Sequence, residues 1–109
     1  MAATTTTIKN GAFSAQSTEP LGQPGVARQL SAGAASANTA LTATVTRISM
    51  RAVGADIRYS IGATSQTATV TSHFIANGER LDVAVPLDAN IAVIRNATTS
   101  GTLEVTELI

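Results

Sequence analysis

IAVIRNATTSGTLEVTEL, residues 91–108, decides the fold class. Ile91, Val93, Leu103 and Val105 recur at every second position, interleaved with Ala92, Ile94, Glu104 and Thr106. A period of two with β-branched enrichment marks strands that turn one face to a core. The intervening NATTSG has the Asn, Ser and Gly content of a turn. The stretch therefore reads as a closing hairpin whose Ile91/Val93 and Leu103/Val105 faces fill a thin core. No side chain in it suggests chemistry.

The same alternation recurs upstream. LTATVTRISM sets Leu41, Ala43 and Val45 against Thr42, Thr44 and Thr46, and ADIRYSI sets Ile57, Tyr59 and Ile61 against Asp56, Arg58 and Ser60. QTATVTSHFI reads as a third run, with Ala68, Val70, Ser72 and Phe74 on one face. RLDVAVPL points Leu81, Val83 and Val85 inward. Gly54, Gly62, Asn77-Gly78 and the segment from Pro86 to Asn90 punctuate the runs at intervals typical of sandwiches. Asn77-Gly78 is the strongest turn dipeptide, because both residues accept positive φ, and Pro86 is expected to end a strand. The expected fold is all-β: a small antiparallel β-sandwich or jelly-roll-like barrel of about six strands, preceded by an extended N-terminal arm.

The arm is drawn from composition. Residues 1–40 are rich in Ala, Thr, Ser, Gly and Gln, and TEPLGQPGVARQLSAGAASANTA holds no sustained period. Such a segment does not bury enough apolar surface to offset about 1–2 kcal/mol of backbone ordering per residue. The reading is an extended arm over 1–40 and a β-sandwich domain over 41–109, so removing residues 1–38 is expected to leave the domain folded.

Composition narrows function by exclusion. Seven Lys plus Arg balance seven Asp plus Glu, so no field of one sign steers nucleic acid or a membrane surface to the chain. Near-zero net charge leaves self-association unopposed. With aromatics at 3%, the core is aliphatic and slim, a situation in which small domains lean on partner subunits. Zero cysteines remove disulfides, thiolate metal sites and cysteine nucleophiles. The N-terminal MAATTTTIKNGAF lacks the basic and apolar regions of a signal peptide, and no apolar run is long enough to span a membrane. The expectation is a chain made in the cytoplasm.

No set of residues converges on catalysis. His73 is the single histidine, and Ser72 beside it on a strand would face the other way. Asp82 and Asp88 flank Pro86 but lack the dense oxygen spacing of a calcium loop. Asp56 with Arg58, and Glu79 with Arg80, read as local surface pairs. Arg47, Arg51, Arg58, Arg80 and Arg95 are scattered, with too few aromatics to stack bases. Arg47 and Arg51 share one strand face, or lie at its end, and are candidates for contacts between subunits. No cofactor, metal, nucleic acid, membrane or small-molecule substrate is expected.

The C-terminal third resembles small structural proteins of tailed bacteriophages. In that family a small-residue turn leads to an IAVI-type strand, and a final strand follows. Here Ala89-Asn90-Ile91-Ala92-Val93-Ile94 and Ser100-Gly101-Thr102-Leu103-Glu104-Val105-Thr106-Glu107 carry the likeness, and ADIRYSIGATSQTAT is similar to the strand and loop before it. The likeness covers residues 45–108 and transfers no active site. It implies a virion component made in the bacterial host cytoplasm, most like a capsid decoration (cement) protein. Such a protein is a homotrimer on the capsid surface that fastens neighbouring subunits of the major capsid protein.

The residues that would make these contacts are Thr4, Thr5, Thr6, Thr7, Ile8, Phe13, Leu21, Val26, Leu30, Arg47 and Arg51. The Thr4–Thr7 run suits a strand added to an exposed sheet edge. A neck, tail or fibre-associated virion protein is the alternative. A carbohydrate-binding β module is less favoured, since only Phe13, Tyr59 and Phe74 could lie against a sugar ring.

Overall fold

RISMRAV, the third strand in chain order, shows how the chain makes a sandwich. Ile48, Met50 and Ala52 are fully buried while Arg51 and Val53 face out, so one face is committed to a core. The computed structural model describes residues 22–109, and within them every regular element is a strand. These are β1 (Pro24–Ala32), β2 (Ala37–Ala40), β3 (Arg47–Val53), β4 (Ile57–Gly62), β5 (His73–Ile75), β6 (Arg80–Ala84), β7 (Asn90–Arg95) and β8 (Gly101–Leu108). They form two antiparallel four-stranded sheets, β1-β8-β3-β6 and β2-β7-β4-β5. Among the described residues no helix is long and apolar enough to cross a membrane.

The pairing follows one rule. β1 pairs with β8, β2 with β7, β3 with β6 and β4 with β5, so the chain is a long antiparallel ribbon. Rolling the ribbon up adds the pairs β3–β8 and β4–β7 and splits it into two facing sheets. That wrap is the jelly roll. The core between the sheets is aliphatic: Ile48, Met50, Ile57, Ile75, Ile91, Val93, Leu103 and Val105 are all fully buried. Each such side chain contributes about 1.5–3 kcal/mol of burial.

The structure corrects the reading of residues 91–108. Ile91, Val93, Leu103 and Val105 do fill the core, but β7 and β8 lie in opposite sheets and are not a hairpin. Alternation cannot distinguish strands paired side by side from strands facing each other across a core about 10 Å thick. Gly101 makes the crossover fit. A Cβ there would sit 2.9 Å from the Val53 carbonyl oxygen and 3.0 Å from the Ala55 Cβ.

The domain boundary moves as well. Residues 24–40, assigned from composition to the arm, supply β1 and β2, and Leu30 and Ala32 are buried in the core. β1 pairs with β8 at Pro24 and again from Ala27 to Ala32, so the ordering energy of this segment comes from a long central strand. Residues 41–46 are a turn and not the start of a strand, and β5 keeps only His73–Ile75 of the run read from residue 66. The inward residue of β5 is Ile75, while Phe74 lies on the outer face. At 76–79, Glu79 N–H donates to the Ala76 carbonyl (2.9 Å), and Gly78 alone takes positive φ (+85°). This is the type II pattern, suited to a change of sheet, where a hairpin turn would need positive φ at Asn77 too.

Candidate functional site

Four of the candidate contact residues fall in the described region. Arg47 and Arg51 share the outer face of β3, as their spacing requires, and Arg51 is exposed. Val26 is exposed on β1, beside an irregularity in its pairing with β8. Leu30 is taken up by this chain's own core and is no surface contact. Thr4, Thr5, Thr6, Thr7, Ile8, Phe13 and Leu21 lie outside the described residues.

The outer faces of the two sheets differ. Residues 63–72 fold back across β2-β7-β4-β5: Gln66 N–H donates to Asn38 Oδ1 (2.8 Å), Ser60 Oγ bonds Gln66 Oε1 (2.8 Å), and Ala68 N–H donates to Ser36 Oγ (2.8 Å). Ala92, on the outer face of β7, is consequently fully buried. Among the described residues nothing comparable covers the other sheet. Across its outer face the register aligns Gln29, Glu104, Arg51 and Arg80 in one row. Arg51 and Arg80 are directly opposite, a like-charge arrangement that is unfavourable in an isolated sheet.

The two flanks of the sandwich differ too. On one, β1 packs against β2 and β7, and a polar network seals the gap. Glu107, fully buried, accepts from Arg28 Nε at 3.0 Å and from the Thr42 amide at 2.9 Å. Burial alone would raise its pKa. The Thr42 hydroxyl and amide and the Arg28 guanidinium outweigh that and hold the carboxyl below the ordinary glutamate range. The sequence signal was parity: Glu107 continues the inward series Leu103, Val105, and Arg28 shares the parity of Leu30 and Ala32.

The opposite flank is open. β6 is an edge strand, and β5 covers β4 only over Ile57–Tyr59. A cavity of about 320 Å³ opens there, lined by Tyr59, Ile61, His73, Val83, Ala84 and Pro86. Tyr59 and His73 lie ring against ring, 5.4 Å between centroids. Burial, with a smaller push from the Glu79 charge, raises the Tyr59 pKa.

At the end of the sandwich formed by residues 54–56, 76–79 and 96–100, a second cavity of about 260 Å³ is bounded by Asp56, Asn77, Asn96 and Thr99. Its polar atoms tie the loops together. Asp56 Oδ1 accepts the Asn77 amide (2.8 Å), Asn77 Oδ1 the Gly54 amide (2.9 Å), and Asn96 Oδ1 the Arg58 Nε (2.9 Å). Asp56 and Glu79 thus serve backbone amides, and the expected pairs with Arg58 and Arg80 give way to these bonds. Among the described residues no three of His, Asp and Glu gather where a metal ion could sit. Ser72 Oγ accepts from the Thr69 amide, and the Arg58 guanidinium lies over the Phe74 ring at 4.7 Å.

Of the six large apolar side chains that are exposed among the described residues, Val53, Val70 and Phe74 lie apart from the other three. Val26, Leu87 and Ile109 project at the end where β1 and β3 begin and β6 and β8 finish. The chain enters the fold at that end: a Cβ on Gly22 would meet Leu108 and the Arg47 guanidinium. No protein-family model matches this chain, and no match was found among curated proteins or solved structures.

Proposed function

We propose that this chain is a non-enzymatic structural protein of a virion, a capsid decoration protein whose N-terminal segment contacts neighbouring subunits. The observation that carries the reading is the exposure of Val26, Leu87 and Ile109 at the end where the chain enters the fold at Gly22. Apolar side chains left exposed there offer a protein partner surface to bury. The jelly roll is an architecture used for capsid domains, a likeness of fold that raises the reading without assigning it.

Oligomeric state and location are separate parts of this proposal. Mass spectrometry of purified particles, with copy number counted per major capsid protein, tests both. A stoichiometry matching capsid sites in multiples of three supports a trimeric decoration protein. Six or twelve copies per particle would move the chain to the neck or tail, and absence from particles would end the virion reading.

A further inference from the structure

The turn that carries the chain from β5 in one sheet to β6 in the other contains Asn77-Gly78. Such a pair has chemistry of its own. Glycine has no Cβ, so its amide nitrogen is the least hindered of any residue and can attack the side-chain carbon of the asparagine before it. The Gly78 N–Asn77 Cγ bond forms and the Cγ–Nδ2 bond breaks. Nδ2 leaves as ammonia, taking the Gly78 amide proton with it. Water then opens the five-membered imide at either carbonyl and leaves aspartate or isoaspartate at position 77.

The fold holds every group that this step must move. Gly78 N–H donates to the Ala52 carbonyl at 2.8 Å, so the attacking nitrogen is tied to β3. Asn77 Oδ1 accepts the Gly54 amide at 2.9 Å, and the Asn77 amide donates to Asp56 Oδ1 at 2.8 Å. The turn geometry opposes the step as well. In a type II turn the residue before the glycine has ψ of about +120°, which rotates the glycine nitrogen away from the preceding Cβ. Ring closure needs that nitrogen rotated towards Cβ. Asn77 and Gly78 are both exposed, so access of water does not set the rate.

We propose that Asn77 is a modification site gated by this turn, deamidating only from a state in which residues 76–79 have opened. The rate is then the rate of the unfolded chain multiplied by the small fraction of time that the turn is open. The change is one-way. Isoaspartate lengthens the main chain by one carbon inside a turn bonded to β3 through Ala52, and either product adds a negative charge at the end of the sandwich that holds Asp56. The gate belongs to the domain itself and does not depend on what the domain assembles with.

The full chain is incubated at mildly alkaline pH, folded in buffer and unfolded in urea, and digested with trypsin. The peptide Tyr59–Arg80 contains Asn77 as its single asparagine and separates it from Asn10-Gly11. Mass spectrometry then follows conversion at position 77. The folded chain is expected to react at least about tenfold more slowly than the chain in urea. Asp56→Ala removes the acceptor of the Asn77 amide and should raise the folded rate about threefold or more, leaving the rate in urea unchanged. Asp56→Asn keeps an acceptor oxygen and should stay near the wild-type rate. If Asp56→Ala does not fold, Glu79→Ala, which frees the Ala76 amide in the same turn, takes its place with the same expectation. Equal rates in buffer and urea overturn the proposal. So does a folded Asp56→Ala or Glu79→Ala chain that reacts no faster than wild type.

Discussion

The two flanks of this sandwich are built from the same kind of strand and end differently. On the β1 side, seven residues of β1 pair with β8, Leu30 and Ala32 plug the core, and Glu107 with Arg28 and Thr42 closes the remaining gap. On the β6 side, β5 is three residues long, Leu81 and Val83 stay half-buried, and the sheets part over a cavity. A core this small in aromatics does not seal both sides from its own residues. The contrast separates a flank that maintains the fold from a flank available to a partner.

Truncations to alanine should divide along that line, by more than the one extra carbon that leucine loses. Leu30→Ala on the closed flank is expected to destabilise the domain by about 3 kcal/mol, from lost burial plus the cavity left behind. Val83→Ala on the open flank is expected to cost about 1 kcal/mol, since the site is already half-solvated. Denaturant midpoints measure both. Equal losses would erase the distinction between the flanks.

Glu107→Gln comes next, with an expected loss of about 2 kcal/mol at neutral pH. Arg28 loses its counter-charge, but it stays partly hydrated, which keeps the loss below that of a fully buried pair. The sign with pH follows from the lowered pKa. The folded state favours the ionised carboxylate, so its contribution is present above the ordinary value near 4.5 and is lost as pH falls through the lower folded value. The stability gap between wild type and Glu107→Gln should therefore narrow on acidification below that point. A gap that is constant from neutral to acid would contradict the ionised pair.

Smaller effects test the fold-back of residues 63–72. Ser36→Ala leaves the Ala68 amide without its acceptor and is expected to cost about 1 kcal/mol. Hydrogen exchange at Ala68 should accelerate with it. The last prediction concerns ionisation. Tyr59 is the single tyrosine, so its phenolate absorbance reports on the open flank alone. Its midpoint is expected above 10, and the stability linked to the neutral phenol should persist below that pH and decline as pH rises through the folded value. A midpoint at or below 10 would mean that the ring is hydrated.

How much of this was legible in the residues depended on what alternation can encode. Inward faces were readable at Ile57/Tyr59, Ile91/Val93 and Leu103/Val105, because burial imposes a period of two whichever strand lies alongside. Partner choice was not readable. Residues 91–108 have the length and turn composition of a hairpin, yet their strands pair with β2 and β1. Residues 24–40 looked like an arm because Pro24, Gly25 and a series of small polar side chains hide Leu30 and Ala32 in a weak pattern. Of the candidate contacts, the shared face of Arg47 and Arg51 was visible from spacing. The open flank was not, since it arises from β5 ending early, and nothing in QTATVTSHFI announces that only its last residues pair.

The account stands on residues 24–40 belonging to the sandwich, with the segment available to partners ending before them. Unfolding of two truncated chains, one starting at residue 22 and one at residue 41, tests this directly. The chain starting at 22 is expected to unfold cooperatively at a denaturant midpoint close to that of the full chain. The chain starting at 41 lacks β1 and β2 and is expected to show no cooperative transition. A cooperative transition of full-chain stability in the chain starting at 41 would contradict the account.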